Sequence, residues 1–164
     1  LLADQLAKMW AVARLEYQPP VELLGTWLRL VFVRNSGAAF SLGAGATLFV
    51  SLLALVIVGG HMFRARKLRS VWWALAMGGM IGGALGNLTD LVFRFPGGLQ
   101  GHVVDFIAVP YWPIFNVADM AVVSSAVLMV ILAMVGSDFA GTRTTKDSEQ
   151  EAAGGQPSSA GAPL

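Results

Sequence analysis

Three uninterrupted apolar stretches constrain this chain more than any other feature. Residues 46–63 read ATLFVSLLALVIVGGHMF and carry no charge, and residues 71–89 carry none either. Residues 120–135 are also uncharged, and a helix that begins at Val117 makes this third stretch long enough to span. A transmembrane helix needs roughly 17–25 residues. Composition agrees: 55% of the 164 residues are hydrophobic and 13% are charged, against about 25% charged in soluble domains. A chain of this length cannot bury so much apolar surface in one aqueous core. A soluble globular protein and a disordered one are both excluded, and a polytopic membrane protein remains. The net charge of +1 gives no electrostatic case for nucleic acid. Cysteine is absent, which removes disulfides, thiol catalysis and thiolate metal sites. The only histidines, His61 and His102, are far apart, so no His-rich metal site is expected.

The N-terminal segment, residues 1–15, has a helical pattern but contains Asp4, Gln5, Lys8 and Arg14. It is too polar and too short to span alone and reads as the end of a first membrane helix. Orientation follows from Lys and Arg in short loops. The loop after residue 63 carries Arg64, Arg66, Lys67 and Arg69 without an acid, and is expected on the cytoplasmic side. Segments 19–45 and 90–116 then lie outside. The tail, residues 137–164, is cytoplasmic, rich in Gly, Ala, Ser and charge, and expected to be disordered. Within the outer segment, LRLVFVRN is a strand-like run ending at the turn signal Asn35-Ser36-Gly37. Tyr111, Trp112 and Phe115 suit the outer interface, and Trp72 and Trp73 the inner one. Gly78, Gly82 and Gly86 recur every fourth residue and form a ridge for close helix packing.

Ionisable groups near a membrane core are costly and mark functional candidates. Asp119 falls in the first turn of the last span, Asp105 lies in GHVVDF, Asp90 ends the preceding span, and Asp4 sits in the N-terminal segment. Local structure offers competing explanations for three of them. Asn116 and Asp119 have the spacing of a capping box. Asn87 and Asp90 could terminate a helix. Asp4 and Lys8 are four apart and could pair within one helix. Nothing local explains Asp105. Two carboxylates held close and partly desolvated share a proton, so one activates water and the other polarises a carbonyl. A Ser–His–Asp triad would need His102 beside a serine, and none is near in sequence; a Ser–Lys dyad would need Lys8, which has the features of a snorkelling residue. No nucleotide-binding glycine motif follows a strand.

Five blocks resemble the prolipoprotein signal peptidases, the signal peptidase II family. They are DQLAK at 4–8, RNSGAAF at 34–40, GGALGNLTD at 82–90, VVDF at 103–106 and FNVAD at 115–119. The resemblance implies an all-α polytopic membrane protein, a four-transmembrane-helix bundle with a small extracytoplasmic β-rich platform. Its first helix would be represented by residues 1–15, the platform by 19–45, and the other spans by 46–63, 71–89 and 117–135. Residues 1–136 would form one membrane-embedded peptidase domain. The implied activity is that of an aspartic endopeptidase of the bacterial cytoplasmic membrane, working near the extracytoplasmic face. It cuts diacylglyceryl-modified prolipoproteins just before the lipidated cysteine. Asp105 and Asp119 would be the catalytic pair. Asn35, Asn87 and Asn116 would bind or orient substrate, and Asp4, Lys8, Asp90 and Arg94 would give structural polar support. No cofactor or metal is implied. The partners would be prolipoprotein substrates and membrane lipids, with the enzyme a monomer. One departure concerns Leu91: the family usually has Arg after the Asp of its Gly-Asn-x-x-Asp block, and Arg94, one turn on, is the candidate substitute. Two other readings are a small transporter relaying protons through Asp105 and Asp119, and a weakened homologue that binds lipoproteins without cutting them.

Overall fold

The computed structural model describes residues 1–36, 45–66 and 68–137. Gly37 to Phe40 of the second block, Lys67 and the tail from Asp138 lie outside the described residues. The elements in chain order are helix α1 (Leu2–Leu15), strands β1 (Val21–Glu22) and β2 (Arg29–Asn35), helices α2 (Gly45–Ala65) and α3 (Val71–Phe93), strand β3 (Val103–Ala108) and helix α4 (Val117–Met134).

The helices are built inside out relative to a water-soluble protein. On α1, Asp4, Lys8, Ala11 and Leu15 recur on one face and are buried, while Leu2, Leu6, Met9 and Trp10 are exposed. On α2, Thr47, Ser51 and Val58 are buried, while Leu48, Phe49, Leu52, Leu53 and Val56 face outward. Water would make this arrangement costly, at about 25 cal/mol per Å² of apolar surface left exposed. Acyl chains remove that cost. Thr47–Ala65, Val71–Phe93 and Val117–Met134 are each long and apolar enough to cross a membrane, with mean hydropathies of 1.9, 1.2 and 2.3.

The sheet is small and antiparallel, in the order β1-β2-β3. The third strand comes from the segment between α3 and α4, which the sequence pattern presents as an outer loop. Val33 lies opposite Asp105 and Asn35 opposite Val103, with an irregularity between Leu30 and Val33. Side chains alternate across a strand. Val104 and Phe106 therefore join Ala11 and Leu15 of α1 in a buried apolar cluster, while Asp105 points away from it. Connectivity sets this sheet at the opposite end of the helices from Arg64, Arg66 and Arg69.

The helix α3 packs on α4 through glycine; Gly86 of the expected ridge takes part, but Gly78 and Gly82 give way to their neighbours Gly79 and Gly83. A Cβ on Gly78 would meet nothing, and one on Gly82 would meet only the backbone nitrogen of Leu1. Gly79, Gly83 and Gly86 carry the close approach. A Cβ on Gly83 would fall 2.6 Å from the Ala118 carbonyl oxygen and 2.8 Å from Val122 Cγ2. Gly83→Ala is therefore expected to destabilise the fold by about 1–3 kcal/mol through overpacking. Gly78→Ala should instead gain about 0.5–1 kcal/mol by stiffening the helix. Thermal unfolding of both variants in one detergent checks the contrast in sign.

Candidate active site

Four elements converge on the two acids. Asp105 comes from the middle of β3 and is 3% exposed. Its Oδ1 accepts from Asn116 Nδ2 at 2.6 Å and its Oδ2 from Asn35 Nδ2 at 2.9 Å. Asp119 comes from the first turn of α4. Its Oδ1 accepts from Asn87 Nδ2 at 2.7 Å, and its Oδ2 from the Asn116 backbone N–H at 3.0 Å. The Asn116 side-chain oxygen accepts in return from the Asp119 backbone N–H at 3.1 Å. That reciprocal pair is a capping box. The cap and the site are thus the same residues, and a buried Asn116 joins one acid to the other.

Asn87 does not end α3. The helix continues to Phe93 and Asn87 sits within it, because its amide has partners from other elements. Lys8 donates to Asn87 Oδ1 at 2.8 Å, and Asn116 Nδ2 donates to the same oxygen at 3.1 Å.

Behind the acids lies a buried charge cluster. Lys8 is fully buried, with Asp4 Oδ2 at 3.0 Å and Asp90 Oδ2 at 3.1 Å. Lys8 therefore does not snorkel. Asp90 also accepts from the Val104 backbone N–H at 3.1 Å and from Arg94 Nε at 2.7 Å. Asp4 Oδ1 accepts from the Ala118 backbone N–H at 2.9 Å. The two acids and two bases balance, and each acid also meets a backbone donor within an element that carries a candidate acid, Val104 of β3 or Ala118 of α4. Gln5, which sequence reasoning did not single out, adds hydrogen bonds to the Gly86 carbonyl at 2.9 Å and to Asp90 at 3.3 Å. Its place inside the DQLAK block was the available signal. Arg94 caps α3 in extended conformation with its Nε held on Asp90, and Leu91 is buried as a packing residue.

Two open hollows meet at Trp112. One, of about 440 Å³, is lined by Asn35, Ser36 and Asp105 with Pro113 and Ile114. The other, of about 390 Å³, runs down α4 past Asp119, Met120, Val123 and Ser124. Each acid thus borders its own hollow, and Trp112 is common to both walls.

Burial raises the Asp105 carboxyl from the ordinary 3.8 to about 6, with the neighbouring Asp119 charge adding to the rise; the amides of Asn35 and Asn116 and the Lys8 ammonium oppose it. Removing an opposing donor must raise it further. Asn35→Ala is expected to move the alkaline limb of the pH–rate profile, where the shared proton is lost, to higher pH. A limb that stays put or moves down would contradict this account of Asp105.

A bundle of apolar helices, three of them long enough to span, with two acids gathered at one end, defines the chain as a membrane protein. Solved structures match that class. A bacterial membrane enzyme determined by the in meso method at 1.9 Å resolution superimposes with a TM-score of 0.71, at 26% identity, covering 84% of this chain and 88% of the other. A second, at 2.3 Å resolution, gives 0.69 at 25% identity, with 84% of each chain covered. The family model of signal peptidase (SPase) II matches residues 1–135. The lipoprotein signal peptidase of Rhodococcus jostii (strain RHA1) is 50% identical over 143 residues, 87% of this chain and 72% of that protein. That of Mycobacterium tuberculosis (strain ATCC 25618 / H37Rv) is 49% identical over 139 residues, 85% and 69% of the respective chains. The chain belongs to the signal peptidase II family, and is accordingly a protease.

Proposed function

We propose that this protein is an aspartic endopeptidase that removes the signal peptide from diacylglyceryl-modified prolipoproteins, cutting just before the lipidated cysteine. The observation that carries this reading is the pairing of Asp105 with Asp119 through the side chain of Asn116. Family membership supports the substrate class and disfavours a proton-relay transporter.

In this reading a water sits between the two carboxyls, opposite the scissile carbonyl. Asp119 takes a proton from the water as its oxygen bonds to the carbonyl carbon. Asp105, which burial favours in its protonated form, gives its proton to the carbonyl oxygen. The tetrahedral intermediate then collapses. The proton held by Asp119 passes to the leaving nitrogen, the C–N bond breaks, and Asp105 recovers its proton from the hydroxyl. The products are a signal peptide with a free carboxyl terminus and a lipidated cysteine with a free amine.

The bundle comprises four membrane helices in this reading, with α1 contributing to the first. The arginine-rich turn lies on the cytoplasmic side of a bacterial membrane, and the sheet and acids lie at the outer face. The apolar hollow along α4 receives the hydrophobic part of the substrate from the bilayer, and Asn35 holds its peptide on the sheet side. The protein acts as a monomer. The test is incubation of the purified protein with a synthetic prolipoprotein peptide in lipidated and unlipidated forms. Cleavage before the cysteine of the lipidated form is expected. Absence of cleavage, or equal cleavage of both forms, would overturn the substrate assignment.

A further inference from the structure

Among the described residues Lys8 donates to neither acid of the pair, yet its three protons are fully assigned. They go to Asp4 Oδ2, Asp90 Oδ2 and Asn87 Oδ1. The third is not needed for charge balance. Its consequence lies in the amide it meets. An asparagine amide can face either way, and only a partner of single polarity fixes which. An ammonium donates and never accepts, so Lys8 compels the Asn87 oxygen to face it. The Asn87 NH₂ group is left facing Asp119 Oδ1 at 2.7 Å. At the other end of the chain of amides, the Asp119 backbone N–H is also donor-only and holds the Asn116 oxygen. The Asn116 NH₂ group must then face Asp105 and Asn87. Both amides are thus locked with their donors toward the acids.

We propose that Lys8 is a positioning residue for catalysis, which sets the amide direction of Asn87 and so keeps a donor on Asp119. This inference rests on the paired-carboxylate reading above. Without Lys8, the Asn87 oxygen keeps only the longer donation from Asn116 Nδ2 at 3.1 Å, and the amide is held less firmly with its NH₂ group on Asp119. The general base is then oriented less firmly toward the water it activates. The charged groups around this point are Asp4 and Lys8 of α1, Asp90 of α3 with Arg94 capping that helix, and Asp105 of β3.

Lys8→Met alone strands two buried acids and can fail to fold. The test therefore uses Asp4→Asn/Lys8→Met, which removes one charge of each sign and leaves an oxygen for the Ala118 N–H. Cleavage of the lipidated peptide is measured across pH. The expected result is a kcat lower by about 10- to 100-fold, as for small misplacements of a catalytic group. KM stays within about twofold. Lys8→Arg, also donor-only, should keep most of the kcat. A folded double variant with wild-type kcat overturns the inference, and so does a folded Lys8→Arg variant as slow as the double variant. If the double variant does not fold, Asn87→Leu carries the test: kcat must fall with KM little changed, and a wild-type kcat overturns it. Asp105→Asn and Asp119→Asn are run alongside. Their retaining activity sinks the paired-carboxylate reading itself. Their losing it while the Lys8 variant keeps a wild-type profile sinks only the positioning role.

Discussion

Asp119→Asn and Asp105→Asn are each expected to lower kcat for prolipoprotein cleavage by about 10³-fold or more, at the upper end of what a positioned acid or base supplies. Asparagine cannot take a proton from water or give one to a carbonyl oxygen. Neither change alters the size of the side chain, so KM should move little and the loss should fall on kcat. Stability must be followed separately, because both acids also hold structure. Asp119→Asn sets an NH₂ group against the Asn116 backbone N–H now received by Asp119 Oδ2, and losing a helix cap costs about 0.5–2 kcal/mol. Asp105→Asn leaves one acceptor oxygen where the carboxylate offers two, to Asn35 and Asn116. One donor loses its partner, at about 1–3 kcal/mol, while the cost of a buried charge disappears. Both proteins should therefore stay folded, as judged by thermal unfolding in detergent. A folded variant of either kind that keeps more than about a tenth of the rate would remove that residue from the mechanism.

The membrane class was legible because it depends on composition alone. Stretches 46–63 and 71–89 lie inside α2 and α3, and the stretch from Val117 follows α4. Where local pattern competed with distant contacts, the sequence was ambiguous. Asn87 and Asp90 look like a helix end, and α3 runs past both because they are held from afar. Lys8 and Asp119 stand 79 and 32 residues from Asn87, and the Val104 N–H stands 14 residues from Asp90. The glycine ridge had two possible registers, since Gly78-Gly79 and Gly82-Gly83 are both pairs, and only the position of α4 chooses between them. β3 was hidden for another reason. Val104 and Phe106 pack on α1 while Asp105 is buried on the other side, so no alternation of exposed polar and buried apolar residues marks the strand. That same burial on both sides explains the acid for which sequence offered no local cause. The capping box at Asn116 and Asp119 was readable, but as a rival to catalysis. In the structure one pair of residues does the capping and also forms half of the candidate site.

The second large effect is expected in the buried charge cluster behind the acids. Asp90→Ala should cost about 3–5 kcal/mol, the usual penalty for breaking a buried ion pair. Asp90 is 1% exposed and joins three elements. It receives Lys8 from α1, Arg94 at the end of α3, and the Val104 backbone N–H at 3.1 Å from β3. Alanine leaves Lys8 with Asp4 as its sole acid among the described residues and strands a buried backbone donor, which itself costs about 1–3 kcal/mol. Asp90→Asn should cost less, because an amide oxygen can still receive the Val104 N–H. The order of unfolding temperatures is therefore expected to be wild type, then Asn, then Ala. The Val104 contact also predicts an effect on activity. Val104 precedes Asp105, so loosening its backbone displaces the candidate acid, and a shift of about 1 Å can cost about 10²-fold in rate. Asp90→Ala measured well below its unfolding temperature should thus be slow as well as unstable. An unstable variant with wild-type kcat would show that Asp90 supports the helices without positioning β3.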